Sequence, residues 1–164
     1  MTQLNLTPGS DSDPNHNEQL LHHFRQGLTG VTDKAEQAVR VGVELKFPVV
    51  QADGHPATLQ QIRAMWHWLV DQGWTADIDP DSGQIIGAKL PGEQNDTVAG
   101  SETGYCKAEF ALAHTADLHV MQQQINALRQ TLAPFTQQHG LHLLSYGIHP
   151  VAQPGEALQI KKSR

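Results

Sequence analysis

The feature that most constrains the fold is a strict alternation of apolar and polar residues between positions 41 and 47. The apolar set is Val41, Val43, Leu45 and Phe47, and the polar set is Gly42, Glu44 and Lys46. Successive side chains of a β-strand point to opposite faces, so this pattern predicts a strand with one buried and one open face. Pro48 is expected to stop ladder pairing at its far end, because proline lacks an N–H donor.

Two longer segments predict amphipathic helices. The first begins at Thr58, whose spacing from Gln61 matches a capping box, and it ends near Gly73. The second begins at Asp117 and ends near Gly140, and Pro134 is expected to kink or shorten its last turns. A shorter helical pattern covers residues 18–30.

The remaining patterns predict further strands. Residues 74–79 and 84–90 flank a turn signal and indicate a hairpin, an extended stretch follows through residues 106–112, and residues 141–148 form a last candidate strand. This order predicts an α+β fold, with an antiparallel or mixed sheet and helices packed on one face. Residues 1–17 are expected to be a disordered arm, 18–152 a single domain, and 153–164 a polar and basic tail.

Composition excludes several classes of function. The net charge of −6 has the wrong sign for binding a polyanion, so we expect no nucleic-acid partner. No apolar run reaches the ~20 residues that a membrane-spanning helix needs. The polar amino terminus does not resemble a signal peptide, and the single cysteine, Cys106, fits a reducing compartment. We therefore expect a cytoplasmic protein with Cys106 buried in its core.

Three carboxylates on the polar sides of the predicted strands are candidate metal ligands: Glu44, Glu102 and Glu109. Carboxylate oxygens on adjacent strands suit Mg²⁺, whereas the periodicity by itself favours a solvated surface charge at each of these positions. Glu102 and Glu109 are seven residues apart, an odd spacing that would send them to opposite faces of an unbroken strand. The alternation must therefore be broken if they are to share a metal directly, and we expect a bulge or bend at residues 103–104 to break it.

Other chemistry has weaker support in the sequence. The ten histidines include no HExxH frame, and the lone cysteine has no CxxC partner, so a zinc site is not expected. Neither a P-loop nor a Rossmann glycine motif occurs. His149 is retained as a candidate because it follows a predicted strand, where sheets commonly present site residues.

Three segments taken in order resemble a known family. They are VGVELKF at 41–47, ETGYCKAEF at 102–110 and SYGIHP at 145–150. Over residues 36–152 the chain is similar to the amino-terminal portion of the glutamate–cysteine ligase family, type 2, the carboxylate–amine ligases. That resemblance implies a glutamine synthetase-like fold, and it implies ATP- and Mg²⁺-dependent joining of glutamate to cysteine through an acyl phosphate.

The resemblance also implies roles for individual residues. Glu44, Glu102 and Glu109 would bind Mg²⁺, and Lys46 and His149 would contact substrate. Lys46 stands at the second acidic place of the family's G-x-E-x-E strand. An ammonium group cannot ligate a cation, so this position departs from the family's metal chemistry.

These observations leave three hypotheses open. The chain is a member or shortened paralogue of the ligase family, not active by itself; or a non-catalytic metabolite-binding or assembly module derived from that fold; or an unrelated α+β domain whose glutamates are plain surface charges. Its partners would be glutamate and cysteine, or a protein partner or second copy that covers an exposed sheet edge. The distances among Glu44, Lys46, Glu102 and Glu109 discriminate the third hypothesis from the others.

Overall fold

The computed structural model describes residues 18–19, 21–23, 25, 40–92, 96–102 and 104–152. The chain divides into two units, Met1–Val39 and Arg40–Arg164. In the first unit the described residues are helical, as the pattern over 18–30 predicts. The predicted arm at 1–17 and the predicted tail at 153–164 lie outside the described residues. The fold presented below is that of the second unit.

The second unit is an α+β fold built on a six-stranded antiparallel sheet. Its elements are β1 (Glu44–Gln51), α1 (Leu59–Asp71), β2 (Thr75–Ile78), β3 (Ile85–Leu90), β4 (Thr97–Ser101), β5 (Lys107–Ala111), α2 (Leu118–His139) and β6 (Leu141–Leu143). The strand order is β2-β3-β4-β5-β1-β6. Of the two sheet types that the sequence left open, antiparallel and mixed, the structure has the antiparallel one.

Both long helices begin where the sequence predicts. Thr58 caps α1 through a complete capping box: its side-chain oxygen accepts from the Gln61 N–H, and the Gln61 side chain accepts from the Thr58 N–H. Asp117 caps α2, and Gly140 ends that helix with a left-handed φ of 60°. Pro134 does not shorten α2, which continues to His139. Within the described part of the chain, neither helix has the length and apolar character to cross a membrane.

The strands differ from prediction in three places. The extended stretch through residues 106–112 is only the second arm of a hairpin, because β4 pairs back onto β5. β1 continues through Pro48 to Gln51, although its ladder with β5 does end at Pro48, where β6 takes over on the opposite edge. The last strand has three residues and not eight, since the chain leaves the sheet after Leu143.

The core lies between one face of the sheet and the two helices. Phe110 on β5 packs edge-on against Trp66 of α1, with ring centroids 6.3 Å apart. Phe135 of α2 is also fully buried, and the Trp68 indole N–H of α1 donates to the Thr131 carbonyl of α2. Cys106 is 2% exposed, as expected for a core residue, and burial raises the pKa of its thiol. The charged side chains of β1 and β5 lie on the other face of the sheet.

Two paired glycines in the middle of the sheet make a matched test of this packing. A Cβ at Gly87 of β3 would overlap the main-chain oxygen of Ala99, whereas a Cβ at Gly100 of β4 would meet nothing within 4 Å. We expect Gly87→Ala to lower the free energy of unfolding by about 1–3 kcal/mol, because a main-chain atom cannot move aside cheaply. Gly100→Ala should be neutral or slightly stabilising. Urea denaturation of both variants checks this, and equal stabilities would contradict the packing described here.

Candidate functional site

Five charged side chains from two neighbouring strands and a hairpin turn meet on the open face of the sheet. We name this group the ammonium–carboxylate cluster; its members are Glu44, Lys46, Glu102, Lys107 and Glu109. Glu44 and Lys46 lie two apart on β1 and therefore share a face. Across the ladder, Lys46 is directly opposite Glu109, and Pro48 is opposite Lys107. The β1–β5 register thus gathers four of the five residues.

Glu102 joins the cluster through the turn between β4 and β5. Ser101 is opposite Ala108, and the Glu102 N–H donates to the Lys107 carbonyl, so Glu102 lies across from Lys107. Cross-strand partners share a face, and Lys107 lies two residues from Glu109. Because the chain reverses between β4 and β5, Glu102 and Glu109 share a face despite their odd spacing. The chain bends at Gly104 and turns through residues 105–106, in agreement with the predicted bulge or bend at this place, and residue 103 lies outside the described residues.

The Lys46 ammonium is the centre of the cluster. Its Nζ lies 2.6 Å from Glu102 Oε1, 3.5 Å from Glu44 Oε2 and 3.8 Å from Glu109 Oε2. Lys107 Nζ lies 2.7 Å from the other carboxylate oxygen of Glu102. The structure therefore brings together Glu44, Lys46, Glu102 and Glu109, and the Glu44 carboxylate remains 61% exposed.

The pKa shifts of Glu102 and Lys46 agree with these contacts. Hydrogen bonds from Lys107 and Lys46 hold the pKa of Glu102 below its ordinary value. The hydrogen bond to Glu102, aided by the charges of the neighbouring carboxylates, raises the pKa of Lys46. Three carboxylates and two ammonium groups leave the cluster with a formal charge of −1. The cluster is thus nearly neutral without any added ion.

Mg²⁺ does not fit these residues as they are arranged. Magnesium requires oxygen ligands at about 2.0–2.1 Å around a common centre. The space among the three carboxylates holds the Lys46 ammonium, a like charge that would repel a divalent cation at close range. Within the ranges that the structure describes, no three His, Cys, Asp or Glu side chains form a group suited to a metal.

His149 is bound to the main chain. Its Nδ1 accepts from the N–H groups of Ala152 at 3.0 Å and Val151 at 3.4 Å, which assigns the ring proton to Nε2. Nε2 then donates to the Val49 carbonyl at 3.3 Å. No hydrogen bond of His149 reaches the cluster within the described residues. The contacts show a residue that ties the segment after β6 to β1, and its proposed contact with substrate stays a prediction.

Lys107 is the member of the cluster that the sequence did not single out. The alternation around Cys106 puts Lys107 on the same side as Glu109, so its face was predictable. Its partner was not, because Glu102 approaches it only through the hairpin register. Comparison with models of protein families and with curated proteins gave no match to this chain.

The lowered pKa of Glu102 predicts a specific pH dependence of stability. A carboxylate with a lowered pKa in the folded state stabilises the fold above its unfolded pKa, about 4.3, and loses that contribution as the pH falls through the folded value. We expect the free energy of unfolding to fall between about pH 5 and pH 3, and to fall less steeply in Glu102→Gln. Urea denaturation across this range measures the slope.

The control is Glu44→Gln, which makes the same change at a carboxylate that is 61% exposed. Its pH slope should remain close to that of the unmodified chain, because exposed ion pairs contribute little. A Glu102→Gln variant that retains the full slope would contradict the assignment of these contacts.

Proposed function

We propose that this chain is a non-catalytic relative of the glutamate–cysteine ligases, in which the Lys46 ammonium replaces a magnesium ion. In this proposal the sheet derives from a glutamine synthetase-like fold, and the chain serves as a binding or assembly module. The observation that carries the proposal is the position of Lys46 Nζ, within 3.8 Å of all three carboxylates.

An ammonium group can replace Mg²⁺ in offsetting the negative charge of the carboxylates. A cluster of three carboxylates is unfavourable when no cation lies among them, because like charges raise one another's pKa and repel. A tethered ammonium supplies positive charge at that place permanently and independently of metal supply. It cannot act as a Lewis acid on a phosphate or a carbonyl, which is the chemistry that Mg²⁺ would supply. The exchange therefore keeps the sheet face stable and removes the metal chemistry.

The same geometry argues against an anionic metabolite as the ligand of Lys46. The cluster has a formal charge of −1, and a carboxylate near Lys46 would also approach three carboxylates of the protein. Of the two roles open to a non-catalytic module, the assembly role is therefore better supported than metabolite binding. We place the protein in the cytoplasm on the composition of the chain and its single cysteine.

Isothermal titration with Mg²⁺ tests the replacement directly. We expect no binding to the unmodified chain at millimolar Mg²⁺, and we expect Lys46→Glu to gain a 1:1 site, because the variant removes the ammonium and adds a fourth carboxylate. The matched control is Lys89→Glu, on β3 of the same sheet, where the lysine lies 4.0 Å from the single carboxylate of Asp77. That variant undergoes the same change of charge and should gain no site.

Two outcomes would contradict this proposal. One is a stoichiometric magnesium site in the unmodified chain, since the ammonium could then not occupy the metal position. The other is a Lys46→Glu variant that is folded by circular dichroism and binds Mg²⁺ no better than Lys89→Glu does.

A ligase assay separates the proposal from an independently active enzyme. With ATP, Mg²⁺, glutamate and cysteine, we expect the unmodified chain to release no ADP above the background seen without the two amino acids. The cluster supplies no positive groups free to clamp a transferring phosphoryl group, because Lys46 and Lys107 are both paired with Glu102. ADP release that depends on both amino acids would show a working ligase and overturn the non-catalytic reading.

A further inference from the structure

Among the residues that the structure describes, nothing pairs with the outer edge of β1 beside the cluster. In the β1–β5 ladder the main chain of odd-numbered residues faces β5: Leu112 N–H donates to the Val43 carbonyl, and Val49 N–H donates to the Cys106 carbonyl. Because this direction alternates along a strand, the main chains of Glu44 and Lys46 face the opposite edge. That edge is covered by β6 only at Val49–Gln51 and by Leu144, which donates to the Pro48 carbonyl.

A groove lined mainly by apolar side chains, and also by Arg129, Thr136, His142 and Ser145, lies beside this open edge. It has a volume of about 680 Å³. Leu45 and Phe47 of β1 form one wall, Ile125, Leu128 and Leu132 of α2 another, and residues 141–145 close one end. Within the described residues, nothing hydrogen-bonds to the outward N–H and C=O groups of Glu44 and Lys46 above it. An added strand would satisfy these groups and place alternate side chains in the groove.

The edge is complementary to itself. If a second copy of β1 is laid antiparallel on the first with a two-fold axis at Leu45, Glu44 lies opposite the second copy's Lys46, and Lys46 opposite its Glu44. The four outward main-chain groups of each copy then form four hydrogen bonds across the axis. On the open face the opposed side chains form two ion pairs of opposite charge, and on the other face Leu45 meets its own symmetry mate.

The Glu44 side chain at this edge is accessible to the second copy's Lys46, which keeps its own contact with Glu102. The Glu44 carboxylate is 61% exposed, and its contact with Lys46 of its own chain is the 3.5 Å one, longer than the 2.6 Å contact between Lys46 and Glu102. Glu44 therefore retains capacity to accept from another ammonium. The strand segment that fits is short, since beyond Phe47 the edge is occupied by Leu144 and β6.

We propose that this protein forms a homodimer through antiparallel pairing of the Glu44–Lys46 edge of β1, which joins two six-stranded sheets into one. This inference rests on the proposed function in one respect: it names a second copy of the chain as the partner of the proposed assembly module. Titration with Mg²⁺ tests the proposal about Lys46, and a measurement of self-association tests the dimer. The failure of one proposal is therefore distinguishable from the failure of the other.

A charge-swap experiment tests the pairing. Sedimentation velocity in a buffer with chelator should show a concentration-dependent dimer of the unmodified chain. Glu44→Lys makes both edge positions positive and Lys46→Glu makes both negative, so each variant alone should dimerise about tenfold more weakly, or not at all, because two attractive pairs become repulsive. An equimolar mixture of the two variants should form a heterodimer, because every opposed pair is again of opposite charge.

A second pair of variants leaves the cluster intact. Ile125→Glu puts a carboxylate into the groove, and the control Val120→Glu makes a comparable change at an exposed residue of α2 that does not line the groove. Only the first should weaken the dimer. Hydrogen exchange adds a direct readout: the amides of Glu44 and Lys46 should become protected as concentration rises.

Three results would overturn the proposal. A chain that stays monomeric at about millimolar concentration, with rapid exchange at Glu44 and Lys46, would leave the edge open. Protection of these amides in the monomer would show that another part of the same chain covers the edge. A dimer that survives Glu44→Lys, Lys46→Glu and Ile125→Glu unchanged would have its interface elsewhere.

Discussion

The register of β1 against β5 decides what each face of this sheet can do. With Lys46 opposite Glu109 and Phe47 opposite Ala108, the side chains that β1 and β5 contribute to the core lie on the face toward the helices, and their charged side chains lie on the open face. A slip of one residue would exchange the faces and bury the ammonium–carboxylate cluster against Trp66 and Phe135. Burial of unpaired charge is far more costly than loss of packing, so the core and the cluster enforce the same register.

Within that frame the cluster behaves as a closed electrostatic unit. Both oxygens of Glu102 are engaged, one by Lys46 and one by Lys107, which ties β1 to the turn between β4 and β5. Pairs on an exposed sheet face are individually weak, but several charges that share partners hold one another in place better than isolated pairs do. This explains why three glutamates can lie close together at neutral pH in a chain that is already acidic.

Local patterns were sufficient for the elements whose signals are local. The capping box at Thr58, the cap at Asp117 and the alternation at 41–47 predicted α1, α2 and β1, and they predicted the α+β class. The hairpin of β4 and β5 was missed because its turn is specified by pairing across the sheet, which residues 97–107 do not display by themselves. For the same reason, the odd spacing of Glu102 and Glu109 suggested opposite faces of one strand. The sequence also did not indicate that Lys107 pairs with Glu102.

Residues 44–46 have two roles, one for their side chains and one for their main chains. The side chains of Glu44 and Lys46 enter the cluster, while their main chains form the open edge of the sheet. Lys46 is held toward β5 by Glu102 and Glu109, which fixes its strand and leaves Glu44 as the more accessible charge. A strand that is straight, fixed and unpaired loses less conformational entropy when it pairs than a mobile one does. In our two proposals, therefore, the internal ion pairs that replace a metal also prepare this edge for a partner strand, and the same lysine accounts for both the loss of metal chemistry and the gain of an assembly surface.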